Sequence, residues 1–353
     1  MARGPRKSNK NLKSSSTEQE QEEFYLPTDI LVLILSMLSV RDISQASGVC
    51  RKWRAAAATA QNLGKVPLLL HLQKYSHQPY QFIDLSLSRQ PRSLSLPRCR
   101  RGIVCYVWDR WMLYFKASTQ TLTLFCPHTQ ESVQLPRLSV EFKGGAFSGT
   151  PKSPNCLVFT IYISEETRAT ISTCRPGDDT WTTVTYQSQY PLRSCVWSSI
   201  MACNGCFYCL NQTEQVAVYD PMRSTWRVFN EDAYSEGKDW VETASKWFMA
   251  EHNGDIYIVW MSFVSQPIVY KLDLTKFYWL DVTSLEGLTF FASATGSYVK
   301  DNMPRWMRDC IFFAKPNYGK KNLMCYSLLH ERYYRKCFSP PDELHEAVWI
   351  DAP

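Results

Sequence analysis

One hairpin-like unit recurs along this chain and limits its fold more than any other feature. A short apolar strand leads into a turn and then into an aromatic or β-branched strand. The unit appears as Phe82-Ile83-Asp84 into Ser93-Leu94-Ser95, as Leu124-Phe125-Cys126-Pro127 into Ser132-Val133, and as Ile171-Ser172-Thr173 into Trp181-Thr182. It returns as Val218-Tyr219-Asp220-Pro221 into Trp226-Arg227-Val228, as Tyr270-Lys271-Leu272-Asp273 into Trp279-Leu280, and as Cys325-Tyr326-Ser327 into Tyr334-Arg335. The successive anchors Ser132, Trp181, Trp226, Trp279 and Tyr334 are spaced at about 50 residues, which suits one four-stranded sheet per repeat. Six such sheets predict an all-β ring, a propeller of about six blades.

Composition permits this. The 353 residues suffice for more than one domain, and 14% aromatic with 20% charged residues supply a large core. A net charge of +6 forms no long basic stripe outside the first residues, so neither nucleic acid nor membrane is an expected partner. The longest apolar run, Ile30 to Leu35, is far short of the roughly 20 residues that a membrane helix needs. Nothing near Met1 reads as a secretion signal, so the thirteen cysteines are expected reduced, in cytoplasm or nucleus, mostly as small buried apolar groups.

Residues 1–23 read as a disordered tail, basic over its first thirteen positions and then rich in Ser and Glu. The basic part could serve nuclear import, although a solvated tail is the simpler reading. Order is expected from Phe24. Thr28 is placed to cap a first helix, Ser39 with Asp42 to start a second, and Gly48 to stop it, with Val49 to Ala60 a third. The first helix is apolar at every position from Ile30 to Leu38 except Ser36. Three helices over about 35 residues bury too little surface to cover such a helix. Four large side chains left bare would forfeit roughly 6 to 12 kcal/mol, an upper figure. Something outside the segment is expected to cover it.

Leu26-Pro27, Asp29-Ile30-Leu31, Ile34-Leu35, Leu38, Asp42-Ile43, Ala46-Ser47, Val49-Cys50 and Trp53-Arg54 together resemble the F-box. The resemblance spans residues 24–62. It implies docking of a Skp-family adaptor, and of a cullin scaffold through it, by Leu26, Pro27, Ile30, Leu31, Ile34, Leu35, Leu38, Ile43, Val49, Cys50 and Trp53. Residues 66–353 in turn resemble the kelch-like propeller of plant-type F-box proteins, without the Gly-Gly doublet of standard kelch repeats at most positions. The expected inner strands are Gly102 to Tyr106, Cys156 to Tyr162, Gly205 to Leu210, Gly254 to Trp260 and Cys310 to Ala314. The first repeat has no obvious inner strand, and Ala347 to Ile350 is a strand at the extreme end. Pairing the two would close the ring.

Catalytic chemistry is weakly supported. Cys203, Cys206 and Cys209 give overlapping Cys-x-x-Cys spacings, but no second pair follows at zinc-site distance, so no metal and no cofactor is expected. The histidines are scattered, and the nucleophile and phosphate-loop motifs are absent. Propeller geometry offers binding loops instead. Asn230 to Ser245 is acidic around Tyr234 and Trp240. Ser293 to Asp309 is basic and aromatic, with Tyr298, Arg305, Trp306 and Arg308. Both are expected among the crossovers between blades, on the face opposite the hairpins of Pro221 and Lys276, where aromatic and Arg side chains suit a protein target. The resemblance therefore implies the substrate-recognition subunit of a ubiquitin ligase with no catalysis of its own. The alternatives are a propeller enzyme or sugar-binding domain, and an adaptor-bound scaffold without a ligase role.

Overall fold

The computed structural model describes residues 1, 26–36, 38, 40–61, 66–72, 80–83, 92–94, 102–165, 167–188, 192, 199–211, 215–229, 246–261, 266–314, 324–334 and 346–352. The tail, the Ser39 cap and the 230–245 loop lie outside them.

Three helices come first: α1 Thr28–Ser36, α2 Val40–Ala46 and α3 Arg51–Gln61. The N–H of Leu31 bonds the Pro27 carbonyl at 3.0 Å, so Pro27 rather than Thr28 occupies the cap position. Leu31, Leu35, Ile43, Ala56, Ala57 and Ala60 form their shared core. The alanine run of α3 lets that helix approach α1 closely.

The rest is β-structure. The first strands are β1 Leu68–Leu72, β2 Tyr80–Ile83 and β3 Arg92–Leu94. The next sheet is β4 Ile103–Trp108, β5 Trp111–Lys116, β6 Thr121–Phe125 and β7 Ser132–Arg137. It is followed by β8 Gly144–Phe147, β9 Val158–Glu165, β10 Arg168–Cys174 and β11 Thr182–Gln187. Then come β12 Ser199–Cys203, β13 Cys206–Leu210, β14 Val216–Asp220 and β15 Thr225–Phe229. The fourth full meander is β16 Lys246–His252, β17 Asp255–Met261, β18 Ile268–Asp273 and β19 Tyr278–Val282. The last strands are β20 Thr289–Ala292, β21 Tyr298–Lys300, β22 Cys310–Phe313, β23 Met324–Ser327, β24 Arg332–Tyr334 and β25 Glu346–Ile350.

These strands make six sheets. All six recurrent hairpins are the outer strand pairs of the blades: β2–β3, β6–β7, β10–β11, β14–β15, β18–β19 and β23–β24. Trp181, just before β11, ties two blades together, its Nε1 donating to the Pro136 carbonyl of the preceding blade at 2.9 Å.

The inner strands differ from expectation. Cys156–Tyr162, Gly205–Leu210 and Gly254–Trp260 fall on β9, β13 and β17, which are second from the axis, and β8, β12 and β16 lie inside them. The reason is turn chemistry. Asn204-Gly205 and Asn253-Gly254 have positive φ at both residues (48° and 78°, 52° and 85°), the two-residue turn that joins antiparallel strands, so a strand must also precede each. The last blade departs further. Its order is β21-β20-β22-β23-β24, with β20 parallel to β22 and wedged between the innermost strand and the usual second one.

The tail strand closes the ring. β25 pairs with β1 over five residues, Leu68↔Ile350 to Leu72↔Glu346, and becomes the innermost strand of the first blade. Trp349 is fully buried. Its indole N–H donates to the carbonyls of Ala292 (3.1 Å) and Phe312 (3.2 Å) in the last blade, and its ring meets Phe291 edge-on at 5.2 Å. The Asp351 N–H donates to the Asp109 carbonyl at 3.0 Å, in the second blade. Trp349→Ala should therefore cost about 3 to 5 kcal/mol and lower the melting temperature by roughly 5 to 15 °C, checked by thermal unfolding. An unchanged transition would show that the ring does not depend on its tail.

Candidate functional site

The helical unit presents the first candidate. α1 is apolar all round, and packing decides which side is left over. Leu31 and Leu35 turn inward at i and i+4, while Ile30, Leu33 and Ile34 stay 41%, 37% and 41% exposed on the adjoining face. Val49, 65% exposed, lies in the turn before α3. Of the residues expected to dock an adaptor, Pro27, Ile30, Ile34, Val49 and Cys50 are exposed. Leu26, Leu38 and Trp53 pack partly buried against the helical core, and Leu31, Leu35 and Ile43 lie inside it. The apolar surface accessible on this unit is thus made by the exposed group, with the buried ones shaping α1 from behind. Leu33 belongs to the exposed group. Its i+3 spacing from Ile30 was the signal for it.

The propeller has two ends. Connections between first and second strands, and between third and fourth, emerge at one end; the others, with the crossovers, emerge at the opposite end. Residues 301–309 join the innermost strand β21 to β22, so they lie at the turn end, the same end as the Pro221 and Lys276 hairpins and not opposite them. The inserted β20 is the cause, because it moves the true innermost strand into what reads as a crossover.

The predicted target-binding residues separate accordingly. Arg305 and Trp306 lie on a 3₁₀ turn, Arg305–Met307, and both are exposed, Trp306 by 40%. Arg308 follows them, its Nε donating to the Met303 carbonyl at 3.1 Å. Tyr298 is not with them. It is buried on β21 near the axis, and its hydroxyl donates to the Asp109 carbonyl at 3.1 Å. Burial holds its pKa well above the ordinary tyrosine value. Tyr234 and Trp240 lie outside the described residues.

Each end of the axis holds a cavity. At the turn end a space of about 480 Å³ is lined by Asp109, Glu251, Asp301 and Asp351, with Lys300 bound to Asp351 at 2.6 Å. Burial raises the Asp351 pKa, against the pull of Lys300. At the crossover end a space of about 430 Å³ lies between Ile103, Phe115, Phe142, Met249 and the 293–296 turn, with Lys143 at its side.

The cysteine motif falls on one hairpin. Cys203 and Cys206 are register partners across the Asn204-Gly205 turn. Burial pushes the Cys203 thiol up to about 12 and that of the fully buried Cys209 higher still, so neither is a thiolate at neutral pH. Among the described residues no group of three or more His, Cys, Asp or Glu side chains is arranged to hold a metal, and no helix is long and apolar enough to cross a membrane.

A model of the KIB1-4 β-propeller family matches residues 82–327. The chain belongs to that family. An F-box-like model matches residues 24–62, which carry α1 to α3, so this KIB1-4 propeller chain is also an F-box protein. An F-box/kelch-repeat protein of Arabidopsis thaliana is 33% identical over 318 residues, 88% of this chain and 88% of its own length. An F-box protein of the same plant is 30% identical over 343 residues, covering 95% of this chain and 90% of its own length. Another is 28% identical over 342 residues, with 93% and 86% covered.

The two environments at the turn end separate by mutation. Tyr298→Phe should lower stability by about 1 kcal/mol through loss of the bond to Asp109, whereas Arg305→Ala with Trp306→Ala should shift it by less than that. Denaturant titration of both variants checks the difference, and equal losses would contradict the placement of Tyr298.

Proposed function

We propose that this chain is the substrate-recognition subunit of a Skp–cullin–F-box ubiquitin ligase. The observation that carries the reading is the apolar face of Ile30, Leu33, Ile34 and Val49, left open on a unit matched by the F-box model. Water-exposed apolar side chains gathered on one small helical unit are the material of a permanent interface, and their burial against an adaptor supplies its driving force. The covalent chemistry belongs to other subunits of such a complex. The propeller then acts as a rigid holder, whose loops and axial cavities select the protein to be modified. A reducing cytosolic or nuclear setting, suited to its many thiols, is part of the same proposal.

Ile30→Asp with Ile34→Asp tests it, because both side chains are exposed and the inward core of Leu31 and Leu35 is left intact. Copurification of a Skp-family adaptor with the full chain should be lost, by at least about a hundredfold in affinity, while thermal unfolding of the propeller stays in place. Retained adaptor binding would refute the reading. Ubiquitin transfer by the reconstituted complex then separates a ligase subunit from an inert scaffold.

A further inference from the structure

We propose that the cavity at the crossover end of the axis is a socket for one apolar side chain of a protein partner that carries a carboxylate beside it. The inference rests on the substrate-receptor reading above and names the kind of residue that such a receptor would grip.

The socket follows from how the second to fifth blades and one turn of the last meet. Ile103 of β4 and Phe115 of β5 stand opposite each other in register, and Phe142, in the crossover after β7, packs edge-on to Phe115 at 4.9 Å. These side chains make one wall, and Met249 of β16 lines another part. The 293–296 turn bears on β4 so closely that any side chain at Gly296 would overlap the Val107 carbonyl, and the Val107 N–H donates to Thr295 at 2.7 Å. That side is therefore fixed by backbone. Its size, about 430 Å³, and its mainly apolar lining match the recesses that hold a ligand or an anchoring side chain. Ile103, at the start of β4, is 56% exposed and carries the apolar surface outward from the recess.

Charge selects the occupant. Lys143 is the one charged residue among the described residues that line the cavity, its side chain is exposed, and it makes no ion pair with any described residue. The carboxylate of Glu141, two residues away, is engaged instead by the Tyr162 hydroxyl, whose pKa it raises. The opposite cavity has the reverse character, with four carboxylates to one lysine that is already paired. An ammonium at the side of an apolar recess favours a partner that brings an apolar group into the recess and a carboxylate to the lysine. Ile103 lines the recess and is still mostly exposed, so its apolar surface continues from the wall to the outside, and this favours a protein over a small molecule, since only a partner extending beyond the cavity would cover it.

The test uses the purified full chain and a phage-displayed random dodecapeptide library. Selection on the wild type should enrich peptides that place Asp or Glu within two residues of Phe, Leu, Met or Trp. Selection on Lys143→Glu should replace the acidic preference by Lys or Arg. Both Lys143→Glu and Ile103→Asp alter exposed side chains, and each should weaken an enriched, fluorescently labelled peptide by about tenfold in anisotropy titrations. Met222→Ala, at the other end of the ring, should leave that affinity unchanged. No enrichment, or enrichment that ignores the sign of residue 143, overturns the socket. So does binding of free 3-phenylpropionate with no peptide selected, which would make the cavity a small-molecule site. Adaptor copurification measured on the same variants keeps the two readings apart. If it persists while peptide selection fails, only the socket is lost; if it fails in the wild type, the receptor reading is lost as well.

Discussion

A ring of sheets has no natural end, and here the pairing of β25 with β1 makes one. The first blade has no innermost strand of its own until the last residues of the chain supply it, and without them the edge of β1 would stand unpaired. The five register pairs of that strand place Trp349 against the last blade and Asp351 against the second. Residues nearly 300 positions apart thus fix the diameter of the axis. Asp351, just past that strand, lines the cavity at the turn end.

The last blade gives the two ends different chemistry. The inserted β20 brings its turn, 293–296, against β4 at the crossover end, where it helps bound an apolar recess. The strand after that turn carries Lys300 and Asp301 to the opposite end, among Asp109, Glu251 and Asp351. One short extra strand therefore contributes to an apolar recess flanked by the exposed Lys143 and to an acidic recess whose Lys300 is paired with Asp351. The helical unit is separate in its energetics. Its alanine-lined core buries Leu31 and Leu35 of α1 and leaves Ile30, Leu33 and Ile34 exposed.

The sequence by itself determined that the chain repeats, that its outer hairpins pair, that its tail has a strand to give, and that α1 needs more cover than its own unit holds. Each of these is written locally. The hairpins join apolar alternation to turn residues such as Asp220-Pro221, and the apolarity of α1 can be read position by position. Tertiary structure alone decided the layering around the axis. β8 and β12 are short, and β16 is buried through its middle, so their apolar runs carry little period to read, although Asn204-Gly205 and Asn253-Gly254 were legible as turns that require a strand on each side. It also decided that Tyr298 is core while Trp306, eight residues on, is surface, since that depends on an extra strand whose parallel partner lies some twenty residues away. On α1 the residue types on the two faces are nearly the same, and only contact with the alanines of α3 chose Leu31 and Leu35 for the inside. Local pattern records which residues shun water; which neighbour covers them depends on contacts that the chain makes only after it has closed on itself.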